Sequence, residues 1–136
     1  MIFAFCRQII WGAMVAVAMS GCATTSTESS SAKTPEQKVA IRAQERWDAL
    51  RAAQFDKAFS YLTPSTRLTL PPDVFRSRLS SLRWIDVKVL KVVCEPEVCD
   101  VTLKMDYYAL PNLKDSRQIE EKWIWDAGNW WVVYQG

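Results

Sequence analysis

The chain of 136 residues has no histidine, only four glycines and no strong excess of charge of either sign. Without histidine, the commonest general base and metal ligand at neutral pH is missing. Lysine and arginine total 17 against 15 acidic residues, without basic clusters, which argues against nucleic acid as a partner. The sequence also has no nucleophile elbow, phosphate loop or metal-spaced cluster, so we predict no cofactor and no metal.

The first residues have the pattern of an export signal. Arg7 precedes a short apolar run, and the small residues Ser20 and Gly21 stand directly before Cys22. The apolar run is too short to span a bilayer as a permanent helix. We therefore expect residues 1–21 to be a cleaved signal peptide.

The segment Met19-Ser20-Gly21-Cys22 also resembles the bacterial lipobox. That resemblance implies a lipoprotein in which Cys22 carries diacylglycerol and its new amine is acylated, with palmitate as the typical chain. Ala23 stands where inner-membrane lipoproteins of many Gram-negative bacteria have Asp, which implies an outer-membrane anchor facing the periplasm. The alternative is an ordinary signal peptide with an incidental cysteine.

Two regions follow the predicted lipid site. Residues 22–34 are rich in Ser, Thr and Ala, and such a run cannot bury enough apolar surface to offset its ordering entropy. We therefore predict a flexible tether there. Residues 35–136 are predicted to form one domain with a single core.

The first half of this domain carries signals for three helices. The first begins at a capping box at Thr34, and apolar residues recur along it at helical spacing to about residue 53. A second, short helix ends near Leu62, and one further helical turn follows it. The third helix lies beyond the proline break at residues 71–73.

From residue 83 the apolar period changes to two, which is typical of half-buried strands. We predict four strands, beginning near residues 85, 99, 117 and 130. Because the links between them are short, the strands are expected to form an antiparallel meander.

Cys94 and Cys99 are predicted to form a disulfide across the first hairpin, because the periplasm is oxidising. A free pair and a redox-active pair are the alternatives, and zinc would need two more ligands. Disulfide partners must face the same side, yet Cys94 is in phase with the polar side of its strand and Cys99 with the apolar side. A β-bulge at Val89, Leu90 or Lys91 would restore the phase.

Helices followed by a long sheet with Trp130-Trp131 on its last strand resemble the NTF2-like, or cystatin-like, α+β cone. The resemblance rests on three sequence segments, at residues 50–58, 61–67 and 123–133. It implies an α+β fold of three N-terminal helices packed on a curved four-stranded antiparallel sheet, which wraps the first helix and leaves a cone that can hold a ligand. Enzymatic members place an acid, a histidine or a tyrosine in the cone.

Two sets of residues that include carboxylates are candidates for catalysis. Asp106 and Tyr107 or Tyr108 could supply a general base and a phenolic donor. Alternation favours another arrangement, with Tyr107 inside and Asp106 and Tyr108 on the outer face. Glu120 and Glu121 are adjacent, so they point to opposite faces and cannot form an acid-base couple, and we expect both to be solvated.

Four tryptophans are candidates for the core or for a partner surface. Trp123 and Trp125 share one face of their strand, whereas Trp130 and Trp131 point to opposite faces. Most of these rings are expected in the core, and a ring left outside would be an anchor for a protein partner.

The sequence therefore favours a lipid-anchored, non-catalytic binding or scaffolding module of the cell envelope. Its expected contacts are the membrane, through the lipid, and either an envelope protein or a small apolar ligand. The alternative is a small NTF2-like isomerase, dehydratase or hydrolase that uses a carboxylate and a tyrosine in the cone.

Overall fold

The structure of the protein is a computed structural model that describes residues 32–136. The predicted signal peptide, the predicted lipid site Cys22 and most of the predicted tether lie outside the described residues.

Helix α1 (Pro35–Arg51) begins at the predicted capping box. Thr34 Oγ1 accepts a hydrogen bond from the Gln37 N–H at 3.3 Å, and Gln37 Oε1 accepts one from the Thr34 N–H at 3.0 Å. These two bonds satisfy donors that a helix start would otherwise leave open. The apolar residues of the predicted stripe are all buried, namely Val39, Ala43, Trp47 and Leu50.

Helices α2 (Phe55–Phe59), α3 (Pro64–Thr69) and α4 (Pro72–Ser80) follow, so the described residues contain four helices and not three. The difference is the predicted single turn after Leu62, which is a six-residue helix. Thr63 caps it by accepting a hydrogen bond from the Thr66 N–H at 3.2 Å, and Pro64 occupies the first helical position. Both features stabilise even a short helix at its start.

Four strands complete the domain: β1 (Trp84–Glu95), β2 (Val98–Leu110), β3 (Leu113–Asp126) and β4 (Asn129–Val132). They form an antiparallel sheet in the order β1-β2-β3-β4, which confirms the predicted meander. The first hairpin turn is tight, because Glu95 pairs directly with Val98.

Each edge of the sheet is partly covered by another element. Next to β4, Leu62 forms a parallel bridge to Val132, whose N–H donates to the Tyr61 carbonyl at 3.0 Å. Next to β1, the Gln44 side chain of α1 donates to the Val87 carbonyl at 2.9 Å and accepts from the Val89 N–H at 3.2 Å. These bonds satisfy edge groups that would otherwise invite pairing with another chain.

The predicted bulge and the predicted disulfide are both present. The pairing of β1 with β2 shifts between Val89 and Lys91, so Leu90 is the extra residue. Beyond the shift, Cys94 lies opposite Cys99 with 4.0 Å between their Cα atoms, and a disulfide joins them. The bulge therefore brings both cysteines to the same side of the sheet.

Replacing both cysteines should loosen this hairpin without unfolding the domain. The disulfide closes a loop of sequence separation 5. Chain-entropy estimates give a loop of this length about 2 kcal/mol. We expect Cys94→Ser with Cys99→Ser to lower Tm by about 10 °C in a thermal melt followed by circular dichroism. A reducing agent should lower Tm of the wild type to a similar extent and leave the double variant unchanged, and a double variant unfolded at room temperature would contradict this estimate.

Candidate functional site

A cavity of about 690 Å³ opens between α1 and the half of the sheet that is distant from the disulfide. This volume lies within the range of about 300–1,000 Å³ that is typical of small-molecule sites. Its apolar wall includes Trp47, Trp84, Met105, Ile119 and Val132. Its charged lining residues are Arg46, Arg83, Arg117, Glu120 and Glu121.

The two large rings of this wall come from different elements. Trp47 belongs to α1 and Trp84 begins β1, and the rings meet edge to face with centroids 5.3 Å apart. Edge-to-face aromatic pairs contribute about 0.5–1.5 kcal/mol beyond the area that they bury. They therefore fix one side of the cavity.

A buried ion pair lies at the inner end of the cavity. Arg46 Nη1 donates to Glu121 Oε1 at 2.6 Å, and the two side chains are 6% and 10% exposed. The pair joins α1 to β3 across 75 residues of sequence. Burying two charges is costly unless their remaining polar atoms are also satisfied.

Two indole groups complete the environment of the Glu121 carboxylate. The Trp47 Nε1–H donates to Oε1 at 2.9 Å, and the Trp123 Nε1–H donates to Oε2 at 3.2 Å. Together with Arg46, three donors hold the carboxylate in one position. Glu121 therefore acts as a structural acceptor, because both of its oxygens are already occupied by donors.

Arg46 is less completely satisfied than its partner. The residue is only 5% exposed, yet its buried Nε has no acceptor among the described residues. The hydrogen bond that Arg46 makes within residues 32–136 leaves from Nη1, on the other side of the guanidinium group. A buried donor without an acceptor is costly, so this group requires an explanation.

The candidate couple of Asp106 and Tyr107, which alternation already disfavours, is not assembled. Asp106 forms an ion pair with Lys104 at 3.2 Å, and a hydrogen bond with Ser116, more than the one with Lys104, lowers the pKa of Asp106. Tyr107 lines the cavity, and its hydroxyl donates to Asp115 Oδ2 at 2.9 Å. That bond raises the pKa of Tyr107, because it favours the neutral phenol.

Two other candidates have the following positions. Tyr108, expected on the outer face of the sheet, is 37% exposed, and it is also among the residues that line the cavity. Glu120 is exposed, but the expectation that Glu121 is also solvated is wrong. Glu121 lies on the same face of β3 as Trp123, and the cation that neutralises it comes from a distant helix.

The four tryptophan candidates divide between core and surface. Trp123 and Trp130 are buried, whereas Trp125 is 41% exposed and packs edge-on against Trp130 with centroids 5.4 Å apart. The Trp131 ring lies within 5.5 Å of the Arg42 Cζ and 5.0 Å of the Arg67 Cζ. None of these four tryptophans is among the residues that line the cavity.

Arg46 is the site residue that the sequence reasoning missed. It lies three residues after Ala43 and four before Leu50, within the apolar stripe of α1. A charged residue at a stripe position is a signal of a buried, paired group. That spacing does not, however, identify Glu121 as the partner of Arg46.

Within the part of the chain that the structure describes, no helix has both the length and the apolar character needed to cross a bilayer. The same residues hold no group of three or more acidic or cysteine side chains placed to bind a metal ion.

Comparison with solved structures identifies the fold. The chain is similar to a SEC-C motif containing protein from Rhodopseudomonas palustris, at 16% identity over 68% of this chain and 73% of that one, with a TM-score of 0.59. It is similar to another from Psychrobacter arcticus, at 10% identity over 73% of this chain and 60% of that one, with a TM-score of 0.61. It thus spans three fifths of the length of the second protein.

A third solved structure, of a protein from Campylobacter jejuni named as an NTF2-like transpeptidase, is similar at 10% identity and a TM-score of 0.54. The match covers 68% of this chain and 94% of that one. No family model and no curated protein matches the chain by sequence. At these identities the likeness concerns the fold alone, and the fold is NTF2-like, with helices preceding a four-stranded antiparallel sheet.

The buried pair predicts a double-mutant effect. Glu121→Gln should destabilise the domain by about 3 kcal/mol or more, because it leaves the Arg46 cation buried without its counter-charge. Adding Arg46→Met should recover part of that loss, because it removes the unpaired buried cation. The recovery is incomplete, since the indoles donate to different oxygens of Glu121 and the glutamine carbonyl can replace only one of them. The free energy of unfolding is measured by urea titration.

The matched control is the exposed pair of Lys122 with Asp100, whose atoms lie 2.7 Å apart. Asp100→Asn should cost no more than about 1 kcal/mol. If Glu121→Gln cost as little as Asp100→Asn, the buried pair would not have the structural role described above.

Proposed function

We propose that the protein is a lipid-anchored, non-catalytic module on the periplasmic side of the outer membrane, which binds a small apolar ligand in the cavity between α1 and the sheet. The observation that carries the ligand-binding part is the cavity of about 690 Å³ with its aromatic and aliphatic wall. The lipobox-like segment that ends at Cys22 supports the anchoring part.

The mouth of the cavity supports an apolar ligand. Leu82 and Leu110 line it and are 50% and 62% exposed, and Leu113 follows at the tip of the same hairpin. A ligand that covers such side chains removes apolar surface from water, which stabilises a complex by about 2.5 kcal/mol per 100 Å² before the cost of association. Clustered exposed leucines around a cavity are typical of a binding site.

The polar groups around the cavity support binding without catalysis. Glu121 is held by three donors, and Tyr107 is hydrogen-bonded to Asp115. Asp106, the candidate general base of the alternative enzymatic hypothesis, pairs with Lys104 and does not line the cavity. An acid-base mechanism needs a group within reach of the substrate that is free to exchange a proton, and these groups do not meet that requirement.

Lipid attachment is tested by metabolic labelling. Cells that express the full chain are grown with labelled palmitate, and incorporation is measured after purification under denaturing conditions. The wild type and Cys6→Ser should incorporate the label, whereas Cys22→Ser should not, because residue 22 provides the thiol and then the acylated amine. An unmodified mature start in the mass spectrum of the native protein would contradict the anchor.

Ligand binding is tested with the full chain in phosphatidylcholine vesicles, using myristic acid with a photoreactive diazirine on its tail. After illumination, mass spectrometry should find the label on peptides that line the cavity, such as those with Met105. Ile119→Trp should reduce this labelling at least about tenfold, because the larger ring fills the cavity.

Gln118→Trp is the matched control for this variant. Gln118 precedes Ile119 on β3 and is exposed, so the same ring at that position points away from the cavity and labelling should not change. Label spread evenly over the surface, or equally reduced by both variants, would contradict a ligand site in the cavity.

A further inference from the structure

The unused edge of Arg46 has the geometry of a carboxylate receptor. A guanidinium group is planar, and its Nε–H and one Nη2–H point in parallel along the edge opposite Nη1. Glu121 engages Arg46 through Nη1, while the buried Nε has no acceptor among the described residues. Arg46 lines the cavity, but its Nε exposes almost no surface, so a bound group supplies the missing acceptor after a small shift of the side chain opens this edge.

The charges around the cavity favour a single anion. Three arginines and two glutamates line it, which leaves one net positive charge. Arg46 and Glu121 neutralise each other, so the excess comes from Arg83 and Arg117, against Glu120. Within residues 32–136, neither Arg83 nor Arg117 forms an ion pair with a carboxylate.

These two arginines lie over tyrosine rings that also line the cavity. The Arg117 Cζ is 5.4 Å from the centre of the Tyr107 ring, and the Arg83 Cζ is 5.8 Å from that of Tyr108. Stacking of this kind limits where a cation can move. Their positive potential therefore stays near the cavity and offsets part of the cost of burying an anion.

We propose that the ligand is a long-chain carboxylic acid, bound with its carboxylate on the Nε edge of Arg46 and its hydrocarbon chain along the wall that Trp47, Met105 and Ile119 form. The proposal rests on the proposed function, since it names the ligand class of the same cavity. A carboxylate provides two acceptor oxygens for the two parallel donors, whereas an ester carbonyl provides one good acceptor and no charge.

The opposite orientation, with the head group at the mouth between Arg83 and Arg117, is less well supported. Both residues are exposed, so water already satisfies their donors and a carboxylate there gains little. The donor at Arg46 is shielded from water and gains most from a bound acceptor. With the carboxylate at Arg46, the apolar tail of the ligand points toward the exposed leucines of the mouth, which are also apolar.

The test compares myristic acid with its methyl ester as competitors of the photoreactive probe. The full chain is placed in phosphatidylcholine vesicles at mildly alkaline pH, where the free acid is ionised, and labelling of cavity peptides is the readout. The measured quantity is the ratio of the two half-displacement concentrations. Partition into the bilayer affects this ratio equally in every variant, so it cancels between wild type and variant.

Three variants distinguish the head-group positions. Arg46→Met with Glu121→Gln removes the Nε edge and keeps the net charge of the cavity lining unchanged. Arg117→Gln removes one charge at the mouth, and Lys104→Gln, which does not line the cavity, is the control. We expect the preference for acid over ester to fall about tenfold or more in the double variant and to change less than about threefold in the other two.

Each outcome decides one question. A preference that survives in the double variant, or that is lost in Arg117→Gln instead, would overturn the carboxylate site at Arg46. Equal displacement by acid and ester in both wild type and double variant would overturn the acid as the ligand class, while the apolar cavity site would stand. Absence of cavity labelling by the probe itself would instead contradict the proposed function.

Discussion

The contact between Arg46 and Glu121 is the constraint on which the arrangement of helix and sheet depends. It connects α1 to β3, and the same carboxylate receives the indole N–H groups of Trp47 and Trp123. Four side chains from two distant parts of the chain therefore share one set of hydrogen bonds. A buried charge without a counter-charge, or an indole N–H without an acceptor, is costly. Few other placements of α1 on the sheet would therefore satisfy these four side chains.

This constraint divides the domain into a closed end and an open end. At the closed end, Trp123 lies opposite Cys99 in the pairing of β2 with β3, and both are fully buried next to the disulfide. At the open end, Tyr107 lies opposite Asp115 and the cavity begins. Rigid packing at one end of a fold can hold a preformed cavity at the other, which lowers the ordering cost of binding.

The same contact supports the proposal that the domain binds a ligand without catalysis. A carboxylate at the inner end of an NTF2-like cavity would be an obvious general base if it were free, but here it has three donors and a neighbouring cation. The fold itself does not decide between an enzyme and a binding module. The hydrogen-bond partners of Glu121 support the proposed binding function.

Local patterns in the sequence determined much of the architecture. The capping box at Thr34, the alternation of the strands and the short links between them are properties of neighbouring residues, and the structure has all three. The bulge at Leu90 was also predictable, because the two cysteines could not otherwise face the same side. The same rules predicted a helical turn after Thr63 but underestimated its length, because α3 has six residues.

Only the tertiary structure decided the site. Arg46 and Glu121 are 75 residues apart, and neither spacing nor alternation states which helix face meets which strand face. Tyr108 is exposed, as alternation along the strand predicts, but its place beside the cavity depends on the path of the chain at the end of the sheet. The sequence by itself therefore determined the elements and their order, whereas the cavity arises from packing between elements that are distant in sequence, which local patterns do not encode.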